Sequence, residues 1–107
     1  MNLTPAPFLA IKRGTKTIEM RLFDEKRQKI KQGDTVCFSN IQTGEKLYCL
    51  VTAIYRYKNF EQLYAMHDKI SIGYAANETA NPNDMLSYYS LQDILKYGVV
   101  GIEIKVI

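Results

Sequence analysis

The chain has 107 residues, of which 47% are hydrophobic and 23% charged, and its formal net charge is +3. These values are typical of one folded globular domain and exclude intrinsic disorder. The apolar runs are too short to cross a bilayer and no secretory signal is visible, so the sequence predicts a cytoplasmic protein. The mild positive charge is compatible with a polyanionic partner, but it is more typical of an ordinary solvated surface.

The N-terminal part of the chain predicts a short helix followed by a strand. Thr4-Pro5 is typical of a helix start and Gly14 of a helix end, which predicts a helix over residues 5–13. Residues 16–23 alternate between apolar and polar side chains, which predicts a strand with one face in the core. The apolar face would carry Ile18, Met20 and Leu22, and the other face Thr17, Glu19 and Arg21.

The remaining elements are predicted from turn residues and apolar periodicity. Up to residue 57, they are a charged turn or short helix over 24–30, a tight turn over 31–34, and strands over 35–39 and 46–57 joined by a hairpin loop over 40–45. After that come a helix following Asn59, a loop over 73–83, a short helix starting at Asn81-Pro82, a helical turn capped by Ser90 and a strand over 99–107. This order predicts a single α+β domain over residues 1–107, a small, partly open β-barrel with short helices packed at its ends.

The segment Gly14-x-Lys16-x-x-Glu19-x-Arg21 carries the most chemical information. Glu19 and Arg21 are two residues apart on a strand and therefore share a face. The carboxylate can hold the guanidinium in place, and its planar fork can then bind a phosphate or a base edge. Strict alternation places Lys16 on the opposite face, so its participation requires a bend or bulge after Gly14. The alternative is an ion pair on an exposed strand, which contributes about 0–1 kcal/mol and needs no function.

Three stretches of the chain resemble one known family. The motif is followed by Lys31-Gln32-Gly33-Asp34 and by Phe38. Together they lie in the stretch IKRGTKTIEMRLFDEKRQKIKQGDTVCFSN, which resembles the N-terminal signature of ASCH domains. ASCH domains belong to the PUA-like superfamily. The segment YRYKNFEQLY and the tail from Tyr88-Tyr89 through YGVVGIEI are similar to that family as well. The resemblance implies a PUA-like barrel, a cleft beside the motif strand and a link to RNA.

The candidate ligand-binding residues are Lys16, Glu19, Arg21, Asn40, Tyr88 and Tyr89. Lys16 and Arg21 would bind a phosphate or a carbonyl, and Glu19 would accept a hydrogen bond from a base or a hydroxyl. The resemblance places the tyrosine pair near the cleft, where Tyr89 would stack on an unpaired base. The alternative for both rings is a place in the core with the hydroxyl at its rim. Asn40 either lines the cleft or begins the hairpin loop.

The predicted function is binding of RNA or a nucleotide in a cleft lined by the GxKxxExR strand. One alternative is a small hydrolase acting on RNA or on a modified nucleoside such as acetylated cytidine, in which the catalytic residues would be Lys16 and Glu19. Bacterial relatives that hydrolyse acetylated cytidine resemble the chain at Lys16 but have a threonine nucleophile at the position of Glu19. Their catalytic glutamate has no convincing match near residues 69–73. The other alternative is a protein-interaction domain that uses an exposed strand edge.

Neither a cofactor nor a metal is predicted. Cys37, Cys49 and His67 fit no metal-ligand spacing, and both cysteines are expected to be reduced thiols. His67 is expected at the end of a helix and not as a catalyst.

Overall fold

The computed structural model describes residues 1–107. Its strands and α-helices are β1 (Asn2–Leu3), α1 (Pro5–Arg13), β2 (Ile18–Leu22), β3 (Thr35–Asn40), β4 (Lys46–Tyr57), α2 (Phe60–Met66), α3 (Leu91–Tyr97) and β5 (Val99–Val106). Two short 3-10 helices, Arg27–Lys29 and Pro82–Ser87, lie in the connections. None of the helices combines the length and the apolar character that crossing a lipid bilayer requires.

The five strands form one sheet in the order β1-β3-β4-β5-β2. β1 pairs in parallel with β3, and all other neighbouring strands are antiparallel. A register shift between Val51 and Ala53 marks an irregularity in the long strand β4, and such bulges bend a sheet. The sheet is a half-barrel accompanied by short helices, which confirms the predicted α+β, PUA-like fold. Because β1 and β2 are the two edge strands, the barrel stays open between them.

Each face of the sheet buries its own apolar cluster. The first cluster joins helix α1 to strands β3, β4 and β5, and its largest members are Phe8, Ile11 and Phe38. The second cluster joins β2 to α2, α3 and the second 3-10 helix; it contains Ile18, Met20, Leu22, Phe60, Leu63, Ile72, Met85, Ile94 and Val99. The apolar face predicted for β2 is therefore confirmed.

The polar face of β2 is not exposed to solvent either, because it lies on the side of the first apolar cluster. Glu19 is paired with Ile102 and Arg21 with Val100 across the antiparallel β2–β5 ladder. Residues opposite each other in such a ladder share a face, so the two charged side chains lie on the side of the first apolar cluster. They stand at its margin, where the half-barrel is open.

Strand β2 is shorter than predicted, since it begins at Ile18 and not at residue 16. Gly14 ends helix α1 in a left-handed conformation with a φ of 86°, and the chain bends at Thr15. The N–H groups of Thr17 and Ile18 both donate to the carbonyl of Ser71 at 2.9 Å, so a turn holds the chain where the strand was expected to start.

Helix α1 covers the predicted residues, although Thr4 makes no side-chain cap, and two later helix starts are confirmed by side-chain caps. The side chain of Asn59 accepts a hydrogen bond from the N–H of Gln62, and that of Ser90 accepts one from the N–H of Asp93. Strand β1 was not predicted because a two-residue strand leaves no alternation to detect. It is held by its parallel pairing with the end of β3.

Candidate functional site

A cleft of about 1090 Å³ lies at the opening between the two edge strands. Its wall on one side is formed by β1 and the start of α1, and on the other by the motif strand β2. Residues from 70–78 and 84–89 complete the lining. Small-molecule sites typically occupy about 300–1,000 Å³, so a nucleotide or a few linked nucleotides fit this volume.

Lys16, Glu19 and Arg21 form a chain of ion pairs that lines the cleft; we call it the triad. Lys16 Nζ lies 2.7 Å from Glu19 Oε1, and Arg21 Nε lies 2.8 Å from Glu19 Oε2. The side chains of Lys16, Glu19 and Arg21 are 9%, 4% and 16% exposed. The alternative of an ion pair on an exposed strand is therefore wrong. Lys16 reaches Glu19 because the bend at Thr15 releases it from the alternation of the strand.

The triad leaves N–H donors unused while it uses both oxygens of its carboxylate. With two cations and one carboxylate it has a formal net charge of +1. Lys16 Nζ donates within the protein only to Glu19, and Arg21 Nη1 makes no hydrogen bond within the protein. An ammonium and a guanidinium have more donors than these contacts use, so the remaining donors are free for an acceptor in the cleft.

Arg21 also connects the two edges of the half-barrel. Its Nη2 donates to the backbone carbonyl of Asn2 on β1 at 3.1 Å, while its Nε remains on Glu19 of β2. One guanidinium therefore spans the opening of the barrel and is oriented from both sides. A side chain held in this way needs little further ordering to bind a ligand.

Glu19 is held in its ionised form. Burial raises the pKa of its carboxyl, but the charges and hydrogen bonds of Lys16 and Arg21 outweigh this effect, so the pKa lies below its ordinary value of 4.5. A group with a depressed pKa stabilises the fold above its unfolded pKa and loses that contribution as the pH falls through its folded pKa.

We therefore expect the stability difference between the wild type and Glu19→Gln to shrink as the pH falls below about 4.5. The reason is that protonation of Glu19 removes its attraction for both cations, which the variant already lacks. Urea unfolding of both proteins between about pH 7 and about pH 3 measures the difference. A stability difference that stays constant over this range would contradict the expected ionisation of Glu19.

The segment over residues 68–80, here called the covering segment, lies over the buried lysine. Lys69 Nζ fastens it by donating to the backbone carbonyls of Ala76 at 2.9 Å and Glu78 at 2.7 Å. Gly73 brings its backbone against the stem of Lys16. The sequence predicted a loop for much of this segment but did not indicate that it forms part of the site. Gly73 was the one residue in the sequence that could have indicated this role, because a glycine between apolar residues can mark a close approach of two chain segments.

The close approach predicts a specific cost for Gly73→Ala. Gly73 has a φ of 115°, and a Cβ atom there would stand 3.2 Å from Lys16 Cδ. Backbone strain together with displacement of the lysine stem should lower the free energy of unfolding by about 1–3 kcal/mol. Gly33→Ala is the matched control, since Gly33 also has a positive φ of 95° but its Cβ would meet nothing within 4 Å. Equal losses in urea unfolding would show that the contact with Lys16 contributes nothing.

The two adjacent tyrosines line the cleft in different ways. Tyr88 is 72% exposed. Tyr89 is half-buried, and its ring is stacked on Phe60 with a centroid distance of 6.1 Å and an interplanar angle of 14°. One face of Tyr89 is thus already occupied, so Tyr88 has the freer ring, although the sequence favoured Tyr89 for stacking.

Asn40 and His67 are not brought to the cleft. Asn40 Oδ1 accepts a hydrogen bond from the N–H of Gln42 at 3.0 Å, so it begins the hairpin loop, which is the second of its two predicted roles. His67 follows helix α2 directly, as predicted, and its Nε2 lies 2.7 Å from the hydroxyl of Tyr57. No three or more His, Cys, Asp or Glu side chains are grouped closely enough to hold a metal ion.

Two further acidic residues line the cleft without having been predicted. Glu78 Oε1 accepts the backbone N–H of Ala75 at 2.7 Å, and Asp84 Oδ2 accepts the hydroxyl of Tyr74 at 2.7 Å. Both carboxylates therefore help to shape the wall. Nothing in their sequence neighbourhood distinguishes them from ordinary loop acids.

Comparisons with known proteins agree with this architecture. The model of the ASCH domain family matches residues 1–107. The crystal structure of the hypothetical protein PH0355 from Pyrococcus is 32% identical with a TM-score of 0.84, and the match covers 100% of this chain and 96% of that one. The solution NMR structure of protein PF0455 from Pyrococcus furiosus is 30% identical with a TM-score of 0.73, covering 100% and 98% of the two chains. No curated protein matches significantly. The chain belongs to the ASCH domain family, which is generally linked to RNA binding and RNA metabolism.

Proposed function

We propose that this domain binds RNA or a nucleotide in the cleft between β1 and β2. The observation that carries the proposal is the buried triad, which has a net positive charge and unused N–H donors beside an open cleft. Burying ions costs several kcal/mol each, and an apolar replacement of a buried ion pair is often no less stable. A triad of this kind is therefore better explained by a ligand than by stability alone.

Each part of the cleft has a role in this proposal. The guanidinium of Arg21 offers its free edge to a phosphate or a base carbonyl, and Lys16 adds a second donor. Glu19 orients both cations, since each of its oxygens accepts a hydrogen bond from one of them. The exposed ring of Tyr88 is the surface on which an unpaired base stacks.

The geometry gives less support to hydrolysis. A general base works best with a pKa near the working pH. Burial raises the pKa of Glu19, but Lys16 and Arg21 outweigh this effect and hold the pKa below its ordinary value, so the carboxylate is a weak base at neutral pH. Turnover of acetylated cytidine or of RNA that disappears in Glu19→Gln would favour the hydrolase hypothesis over ours.

A cytoplasmic location stays a prediction from the sequence.

Fluorescence anisotropy with short, mixed-sequence single-stranded RNA at low and moderate salt tests the proposal. We expect saturable binding that weakens as salt rises, because phosphate contacts release counterions. Tyr88→Ala should weaken binding by about 1–3 kcal/mol through the loss of stacking. Its thermal stability should stay near that of the wild type, since the side chain is largely exposed. The absence of binding at tens of micromolar protein at both salt concentrations would contradict the proposal.

A further inference from the structure

A second concavity, of about 290 Å³, adjoins the cleft. It is formed by the end of helix α1, the bend that follows it and the end of strand β5. Arg13 and Lys16 line both the cleft and this concavity, so the two adjoin at these residues. Its charged lining residues are all basic, namely Lys12, Arg13, Lys16 and Lys105, and we call it the basic groove.

The positive charge of the groove is only partly compensated. Lys12 pairs with Glu45 at 2.6 Å and Lys16 belongs to the triad. Arg13 and Lys105 are exposed and make no ion pair within 4.0 Å. Unpaired cations gathered in one recess attract a polyanion.

The cleft itself differs from the groove in charge. Its three basic lining residues, Arg13, Lys16 and Arg21, are accompanied by the three carboxylates of Glu19, Glu78 and Asp84. The cleft also carries Tyr88, which the groove does not. Thus the cleft combines donors, acceptors and an aromatic ring, which suit a base, while the only charged groups of the groove are cations, which suit a phosphate backbone.

We propose that the basic groove is a binding site for the sugar-phosphate backbone, and that the ligand of the domain is therefore a single-stranded polynucleotide and not a free nucleotide. The strand leaves the cleft over Arg13 and continues along the groove towards Lys105. This inference rests on the proposed function, because it extends the ligand from the same cleft.

The proposal is tested by titrating four proteins with two ligands over a series of salt concentrations. The proteins are the wild type, Arg13→Gln, Lys105→Gln and Lys58→Gln; the ligands are a mixed-sequence single-stranded RNA of about ten nucleotides and a mixture of nucleoside monophosphates. Lys58→Gln is the matched control, since it removes one exposed charge outside both concavities. Circular dichroism melts establish that all four proteins are folded.

Each contact with a single-stranded phosphate contributes about 0.7 to the slope of log affinity against log salt. We therefore expect Arg13→Gln and Lys105→Gln each to lower that slope by about 0.7 and to weaken RNA binding about fivefold at about 0.1 M salt. The affinity for nucleoside monophosphates should stay unchanged in Lys105→Gln, because Lys105 lies outside the cleft. Lys58→Gln should bind both ligands like the wild type.

Three results would overturn the inference. If both groove variants bind RNA as Lys58→Gln does, the groove holds no backbone, while the proposed function stands. If the wild type binds nucleoside monophosphates as tightly as RNA, the ligand is a nucleotide, and again only this inference fails. If the wild type binds neither ligand, both the inference and the proposed function fail.

Discussion

Replacing Glu19 by alanine is expected to lower the free energy of unfolding by about 3–5 kcal/mol, because the change leaves the buried ammonium of Lys16 without its counter-charge. The side chain of Lys16 is only 9% exposed. Little of it is therefore in contact with water. A typical domain is stable by about 5–15 kcal/mol, so this single change should remove a large part of the total. Urea unfolding at neutral pH measures the loss.

An exposed ion pair of the same chain supplies the control. Glu45 pairs with Lys12 at 2.6 Å, but the two side chains are 42% and 50% exposed. Glu45→Ala should therefore cost less than about 1 kcal/mol. Equal losses of unfolding free energy in Glu19→Ala and Glu45→Ala would show that burial of the triad has no energetic consequence. That result would contradict our description of the site.

A double variant of the triad separates its effect on stability from its effect on RNA binding. Apolar residues of similar volume often replace a buried ion pair without loss of stability. We therefore expect Lys16→Met combined with Glu19→Leu to recover most of the stability lost in Glu19→Ala while binding no RNA. Recovery of stability together with normal RNA binding would mean that the triad is not part of the binding site.

Replacing Arg21 by lysine is expected to weaken RNA binding about ten- to hundredfold, although the charge is kept. A lysine cannot contact Glu19, the carbonyl of Asn2 and a ligand in the planar arrangement that the guanidinium provides. The loss of one hydrogen bond to a charged ligand group costs about 1.5–3 kcal/mol, which corresponds to this range. Anisotropy titration with single-stranded RNA measures the change.

Arg56→Lys is the matched control for this change. The guanidinium of Arg56 lies 4.2 Å from the ring centroid of Phe23, outside the lining of the cleft. The same chemical substitution there should leave RNA affinity unaltered. Similar affinities of Arg21→Lys and Arg56→Lys would show that the fork of Arg21 does not bind the ligand.

The part of the site that follows from local periodicity was predictable. Glu19 and Arg21 are adjacent on one face because side chains on a strand repeat every two residues. Lys16 breaks that rule because it lies before the strand, in a stretch held by the carbonyl of Ser71 and packed against Gly73. Both of these partners are distant in sequence, so no local pattern could bring Lys16 to Glu19.

The tyrosine pair also shows that local sequence patterns do not reveal contacts between residues distant in the chain. Tyr88 and Tyr89 are identical neighbours in the sequence, and the prediction that Tyr89 stacks on a base took no account of tertiary packing. The ring of Tyr89 packs on Phe60, a residue of helix α2, whereas that of Tyr88 stays exposed. Tertiary packing, and not residue type, decides which ring is available to a base.

The central claim is that the cleft between β1 and β2 is where RNA binds, and an NMR titration of isotope-labelled protein with short single-stranded RNA tests it most directly. We expect the amide shifts to change mainly around the triad, Gly73 and Tyr88. Unchanged spectra, or changes concentrated around Tyr57 and His67, would contradict the claim.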